Sequence, residues 1–285
     1  MTEGSGNGGA GTAPCRPSAA GYGWSDLVVA GLIFVFAQWV AVLVYGLFGG
    51  EPPAADAAGA GFLRGRYMAA VYTIAMVLCI AMLALYGRVM GRSVRLSFRA
   101  PGWASPIRIL SGYLLLWCFS IAVEPLASLL PSCSSDMGSG GWFLVCSVLA
   151  APLFEEIIFR GFLTGGMRRA YGGVAAWIWP AVVFAAVHIS PAGMVSALAG
   201  GLVLGFYYLR YRSLVIVIVL HALNNMTACF LDVVGAGDLT VRDLAGGTWV
   251  ATAVYAVCGV ISAAALVRMC VLVRRIKKED CTAAE

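Results

Sequence analysis

The sequence predicts an all-α, polytopic membrane protein of about eight transmembrane helices, and three observations predict it. Hydrophobic residues make up 61% of the 285-residue chain and charged residues only 12%, against roughly 25% charged in an ordinary soluble domain. The apolar residues fall in blocks of about 20, each able to cross a ~30 Å hydrocarbon layer at about 1.5 Å per residue. The segments between blocks alternate between arginine-rich and arginine-poor, as the connections of a multi-pass protein do.

The elements follow in order. Residues 1–23, MTEGSGNGGAGTAPCRPSAAGYG, are rich in Gly, Ala and Ser without periodicity. They predict a disordered tail, too polar for a signal peptide. An integral membrane domain is expected over 24–273, with spans near 26–48, 67–87, 106–130, 142–163, 174–190, 194–210, 213–231 and 248–272. Short connections rich in Gly, Pro and Ser suit turns between packed helices. Residues 274–285 form a basic, then acidic tail. In the sixth span Ala197, Gly201 and Gly205 recur at four-residue spacing. Such a small-residue face lets a neighbouring helix approach, and packing explains it without chemistry.

Eight spans put both termini on one side. That side carries fourteen Arg and Lys residues, from Arg16 through Arg88–Arg108, Arg168–Arg212 and Arg274–Lys278. The other carries three, Arg64, Arg66 and Arg242. The bias predicts that both termini are cytoplasmic. The net charge of +5 is thus orientation chemistry in contact with a lipid bilayer, and no nucleic-acid partner is expected. The nine cysteines contain no CxxC pair, and most lie in apolar blocks as small core residues. Cys281 is fifth from the end, so CTAAE is not a prenylation box.

Against that background, FEEIIFRGF at 154–162 stands out. An ionised side chain at the bilayer centre costs at least ~2.5–3.5 kcal/mol, and this stretch holds Glu155, Glu156 and Arg160. Four-residue spacing puts Glu156 and Arg160 on one helix face, where they can pair. Glu155 points about 100° away. The only two histidines, His188 and His221, also fall in apolar spans, and Asn225 lies one turn beyond His221.

Each residue alone has a structural explanation. A lone intramembrane His commonly bonds helix to helix, a Glu/Arg pair can be a clamp, and Asn224 and Asn225 can be interhelical glue. Glu124 is expected to reach the interface at the outer end of span three. Taken together, every histidine and most buried charges fall on spans four, five and seven, which packing does not require. A carboxylate and a histidine can activate a water as general base. A second histidine and an asparagine can donate to a tetrahedral oxyanion. Two histidines and a glutamate, here Glu155, His188 and His221, are equally a normal zinc ligand set with an open fourth position. The residues alone leave one zinc or no cofactor open. A proton-relaying transporter or a self-immunity factor acting by binding is the alternative from another class, although no internal repeat supports a transporter.

The order EEIIFR (Glu155 to Arg160), FAAVH (Phe184 to His188) and HALNN (His221 to Asn225) resembles the CPBP intramembrane proteases. These include the type II CAAX prenyl endopeptidases and the bacteriocin-processing or bacteriocin-immunity (Abi) proteins. The flanks FRGFL and GLVLGFYYLRYRSL are also similar, and the likeness covers about residues 142–231. The resemblance implies an endopeptidase acting on a membrane-associated protein or peptide. It implies Glu155 as general base with His188 on the water, His221 and Asn225 as oxyanion hole, and Glu156 and Arg160 as orienting residues. The other spans would frame the site. Counted at 1.5 Å per residue from the expected boundaries, Glu155 lies about 9 Å and His221 about 10 Å from the cytoplasmic edge, but His188 about 21 Å. Helix tilt or a shifted boundary must close that gap.

Overall fold

A computed structural model describes residues 21–49, 54, 59–92, 94–99, 102, 105–131, 138–188, 190–237 and 239–276. Residues 1–20 of the expected 1–23 tail, with Arg16 and Cys15, lie outside the described residues, as do Cys133, Lys277, Lys278 and Cys281; of the tail's last three residues, Tyr22 is fully buried and its N–H donates to the Gly166 carbonyl at 3.1 Å, so the expectation of disorder does not hold there. The described elements are helical: α1 (Trp24–Phe48), α2 (Ala60–Val89), α3 (Ser105–Ala127), α4 (Gly141–Tyr171), α5 (Gly173–Ala186), α6 (Pro191–Tyr211), α7 (Leu214–Val233), the short α8 (Val241–Leu244) and α9 (Thr248–Arg274). Seven are long and apolar enough to cross a membrane.

Burial is arranged for lipid. On α1 the exposed residues include Val28, Leu32, Val35, Trp39 and Val42, while the buried ones include Ala30, Ala37 and Ala41. Large apolar side chains recur at helical spacing on the outer face, and small ones let α2 approach on the inner face.

Of the helix boundaries that differ from expectation, two bear on the site. The fourth span does not stop at 163. It continues through Gly165 and Gly166 to Tyr171 and ends at Gly172, whose φ of 81° favours glycine. The glycine pair is there for packing: a Cβ on Gly166 would stand 2.2 Å from Cδ2 of the fully buried Tyr22. The fifth span does not reach 190. Helix α5 has 14 residues, about 21 Å, and His188 lies beyond its end in the turn to α6.

The small-residue face of α6 packs where expected. A Cβ on Gly201 would meet Ala181 Cβ at 3.2 Å and Phe184 Cδ1 at 3.3 Å, and one on Gly205 would meet Trp177 Cδ1 at 3.4 Å. The pairing of 201 with 181 and of 205 with 177 shows that α5 and α6 are antiparallel. Three contacts gather one end of the bundle. Trp24 N–H donates to the Tyr171 hydroxyl, Arg92 pairs with the buried Asp26 at 3.1 Å, and Gly173 N–H donates to the Ile276 carbonyl. The start of α1 and the end of α9 therefore share that end.

Candidate active site

Helix α4 carries the carboxylates, and its winding places them. Two stretches, Cys146–Ala150 and Glu156–Thr164, are π-helical. The first precedes Pro152, which has no N–H and whose ring crowds the carbonyl four residues back; the Ala151 N–H bonds Cys146 instead. In the second, Gly165 N–H reaches the Arg160 carbonyl and Thr164 Oγ1 donates to the Phe159 carbonyl at 2.9 Å. An i→i+5 turn holds more residues than an α-turn, so adjacent side chains diverge by less than 100°. Glu155 and Glu156 thereby both face α7.

They bracket one imidazole. His221 Nδ1 lies 2.8 Å from Glu156 Oε1, and His221 Nε2 lies 3.7 Å from Glu155 Oε2. The first is a hydrogen bond. The second is too long for one, and leaves both atoms open on one side to a shared partner. Arg160 Nη1 donates to Glu156 Oε1 at 3.0 Å, and Nη2 to the Gly201 carbonyl at 3.3 Å. Its guanidinium lies 4.7 Å over the Phe184 ring. Glu156 and Arg160 are 0% and 1% exposed, so neither charge has water in place of these partners. Gly201 thus has a second role beyond close packing: without a side chain, its carbonyl is open to the guanidinium.

Phe184 organises the histidines. Its ring stands edge-on to His188 at 4.9 Å and to His221 at 6.0 Å. His188 Nδ1 lies 2.8 Å from the Phe184 carbonyl. With Nδ1–H donating there, the neutral ring presents Nε2 as an acceptor. Asn225 Nδ2 donates to the Ser147 carbonyl at 2.9 Å, at the first π stretch. Asn224 points elsewhere, into a separate cavity at the far end of α7.

The gap in depth closes through the boundaries. Glu155 is 16 residues before Tyr171 on α4, and His188 is 15 residues after Gly173 on the antiparallel neighbour; both lie about 23 Å from that end. His221 is only seven residues into α7. That helix begins deep, with Leu214 fully buried, its N–H bonded to the Ser97 carbonyl, and its Cδ1 3.9 Å from a Cβ on Gly161. The segment 94–99 covers it.

The pairing of carboxylate and histidine differs from expectation: the fold sets His221, and not His188, beside Glu155. It also adds a residue that the motifs do not contain. Tyr72 on α2 donates its hydroxyl to Glu155 Oε1 at 2.7 Å. The one signal for it was a phenol inside an apolar span, where a buried hydroxyl needs a partner, and many tyrosines share that signal.

The zinc set can be tested on the same geometry. Among the described residues no three His, Cys, Asp or Glu side chains converge as a metal site. His188 bonds the Phe184 carbonyl and packs on the Phe184 ring, and is not grouped with Glu155 and His221 as a ligand set. The donors as placed do not fit zinc, and no step is derived through a metal.

Residues 138–227 match the sequence model of a family described as type II CAAX prenyl endopeptidase Rce1-like. The matched segment runs from just before α4 into α7, and contains Glu155, Glu156, Arg160, His188, His221 and Asn225 but not Tyr72. It bears out the resemblance carried by the three motifs. No curated protein matches the chain. No solved structure matches it either.

Proposed function

We propose, on the premise that residues 138–227 are a segment of the type II CAAX prenyl endopeptidase Rce1-like family, that this chain is an intramembrane endopeptidase hydrolysing a peptide bond of a membrane-associated protein or peptide. The observation that carries the proposal is a single imidazole bracketed by two carboxylates inside a lipid-embedded bundle.

The roles follow from who touches whom. Glu155 is the general base. Tyr72 fixes its Oε1, and its Oε2 takes a proton from a water beside it and His221 Nε2, which lies 3.7 Å away. Glu156 holds His221 by Nδ1, which sets the tautomer and turns Nε2 toward that water. His221 can then relay the proton to the leaving amine. His188, with its acceptor Nε2, steadies the substrate amide from its place beside Phe184. Asn225 stands one turn along α7, where the second hydrogen of its amide can donate to the oxyanion. Arg160 orients Glu156 and balances its charge. The arginine bias supports a cytoplasmic side for both termini, and the start of α1 and the end of α9 share one end of the bundle.

The test is comparative peptidomics of membranes from cells with the wild-type chain and with Glu155→Gln. The variant should accumulate to wild-type levels and lose the cleavage products. Cleavage by the purified protein should survive exhaustive chelation in metal-free buffer. Full retention of cleavage by Glu155→Gln sinks the assignment.

A further inference from the structure

Helices α6 and α9 end side by side. Gly173, which opens α5, packs on Val273 near the end of α9, and Trp177 packs on Gly205 near the end of α6. Between the two ends lies a cavity of about 260 Å³. Val273, fully buried, is its floor. Phe206, Leu209, Leu272 and Ile276 supply apolar walls, and Arg210 and Arg275 supply its polar lining. The order along both helices is the same. Phe206 comes one turn before Arg210, and Leu272 nearly one turn before Arg275. Apolar surface thus lies toward the membrane interior, with the exposed guanidinium groups at its edge.

An arginine at a helix C-terminus complements the helix dipole, which accounts for Arg210 or Arg275 singly. It does not account for two guanidinium groups on one cavity. Among the described residues no carboxylate pairs with either. Arg210 lies 5.6 Å from the Tyr211 ring, which is no counter-ion. Asp26, the described carboxylate of this end, is already held by Arg92 and Tyr86. A second observation, on α9 itself, is independent of the cavity. Arg268 is exposed and lies six residues before the end of that helix, about 9 Å inside it. Residues 268, 272 and 275 share one helix face, and among the described residues no carboxylate pairs with Arg268 either. A charge at that depth on a lipid-facing helix is costly unless its head reaches the headgroup layer. The cavity is smaller than an enclosed small-molecule site, so it suits a ligand whose bulk lies outside it. A phospholipid has that shape, with its phosphate in the groove and its acyl chains along the helices. Guanidinium groups without a counter-ion favour a net negative headgroup over one that brings its own cation.

We propose that the groove between α6 and α9 binds one anionic phospholipid, its phosphate held by Arg210 and Arg275. The site goes beyond the protease reading and does not rest on it. Full-length protein in non-ionic detergent is offered an equimolar mixture of phosphatidylglycerol and phosphatidylcholine with the same acyl chains. Native mass spectrometry reads the ratio of the two forms carrying one lipid. Wild type should favour phosphatidylglycerol about tenfold or more, each guanidinium contributing severalfold. The double variant Arg210→Gln/Arg275→Gln should lower that ratio about tenfold. Arg88→Gln/Arg95→Gln removes the same charge from exposed positions of the same end, and should leave the ratio unchanged. A ratio within one variant does not depend on how much protein is folded. On the wild-type chain, phosphatidylglycerol with a photoactivatable group near its headgroup should crosslink within 206–210 and 272–276. The proposal is overturned if wild type shows no preference, if the control variant loses as much as the groove variant, or if the crosslinks fall elsewhere. It is overturned equally if excess sn-glycerol 3-phosphate displaces the lipid as well as unlabelled phosphatidylglycerol does, because the groove would then be a site for a soluble phosphate ester.

Discussion

At the scale of the residue, Arg160 shows what burial demands. A guanidinium at 1% exposure persists only because a carboxylate, a carbonyl and an aromatic face surround it. Arg160→Ala strands Glu156 without its counter-charge, and should destabilise the bundle by up to ~3–5 kcal/mol. Arg160→Lys should rescue only in part, because a point charge cannot serve Glu156 and Gly201 with one planar fork. Thermal melting in detergent checks both, and an unchanged Arg160→Ala would remove the clamp. Tyr72→Phe tests the residue that the motifs lack. A hydrogen bond to a charged group is worth about 1.5–3 kcal/mol, so kcat should fall on the order of 10- to 100-fold while KM and melting temperature hold. A rise in KM alone would make Tyr72 a substrate contact instead of a support for Glu155. The Glu156/Arg160 pair was legible because i,i+4 spacing is a local rule. Tyr72 was not, because its partner lies 83 positions away and nothing local marks which tyrosine of α2 faces inward.

At the scale of the element, the existence of the helices was legible and their ends were not. Hydrophobicity reports where a chain can be in lipid, whereas a helix end depends on backbone angles and on what packs beside it. Gly165 and Gly166 read as a turn, yet they lie inside α4 because Tyr22 occupies the space a side chain would fill. Gly172 ends the helix, and nothing in its local sequence ranks it above the pair. The π winding of Glu156–Thr164 was equally hidden, since it depends on Thr164 and on the partners of α4. Gly166→Ala makes this measurable. Its Cβ would fall within 2.2–2.8 Å of three Tyr22 atoms, so Tyr22 must leave its site, at a cost of about 1–3 kcal/mol. Gly31→Ala, on α1 with nothing within 4 Å, should be neutral or gain up to ~1 kcal/mol from helix propensity. Equal melting temperatures for the two would mean that Tyr22 does not pack on α4.

At the scale of the whole molecule, the question is how α5 is counted. With 14 residues it falls short of a full crossing, and hydropathy alone would leave seven spans and opposite sides for the two termini. The packing supports the even count: α5 runs antiparallel to α6, and Trp24, Tyr171, Gly173 and Ile276 meet at one end. The residues that join them carry most of the chain's arginine, so that end should face the cytoplasm. The prediction is tested with single cysteines in a chain whose Cys15, Cys133 and Cys281 are replaced by Ser. Met90 and Leu244 are exposed at 50% and 63%, and they stand at opposite ends, after α2 and at the end of α8. On intact cells a membrane-impermeant thiol reagent should modify Leu244→Cys and leave Met90→Cys untouched; after permeabilisation both should react. Labelling of Met90→Cys on intact cells would invert the protein. It would also turn the end that carries Glu124 and α8 toward the cytoplasm. The arginine bias would then have failed as a guide to orientation.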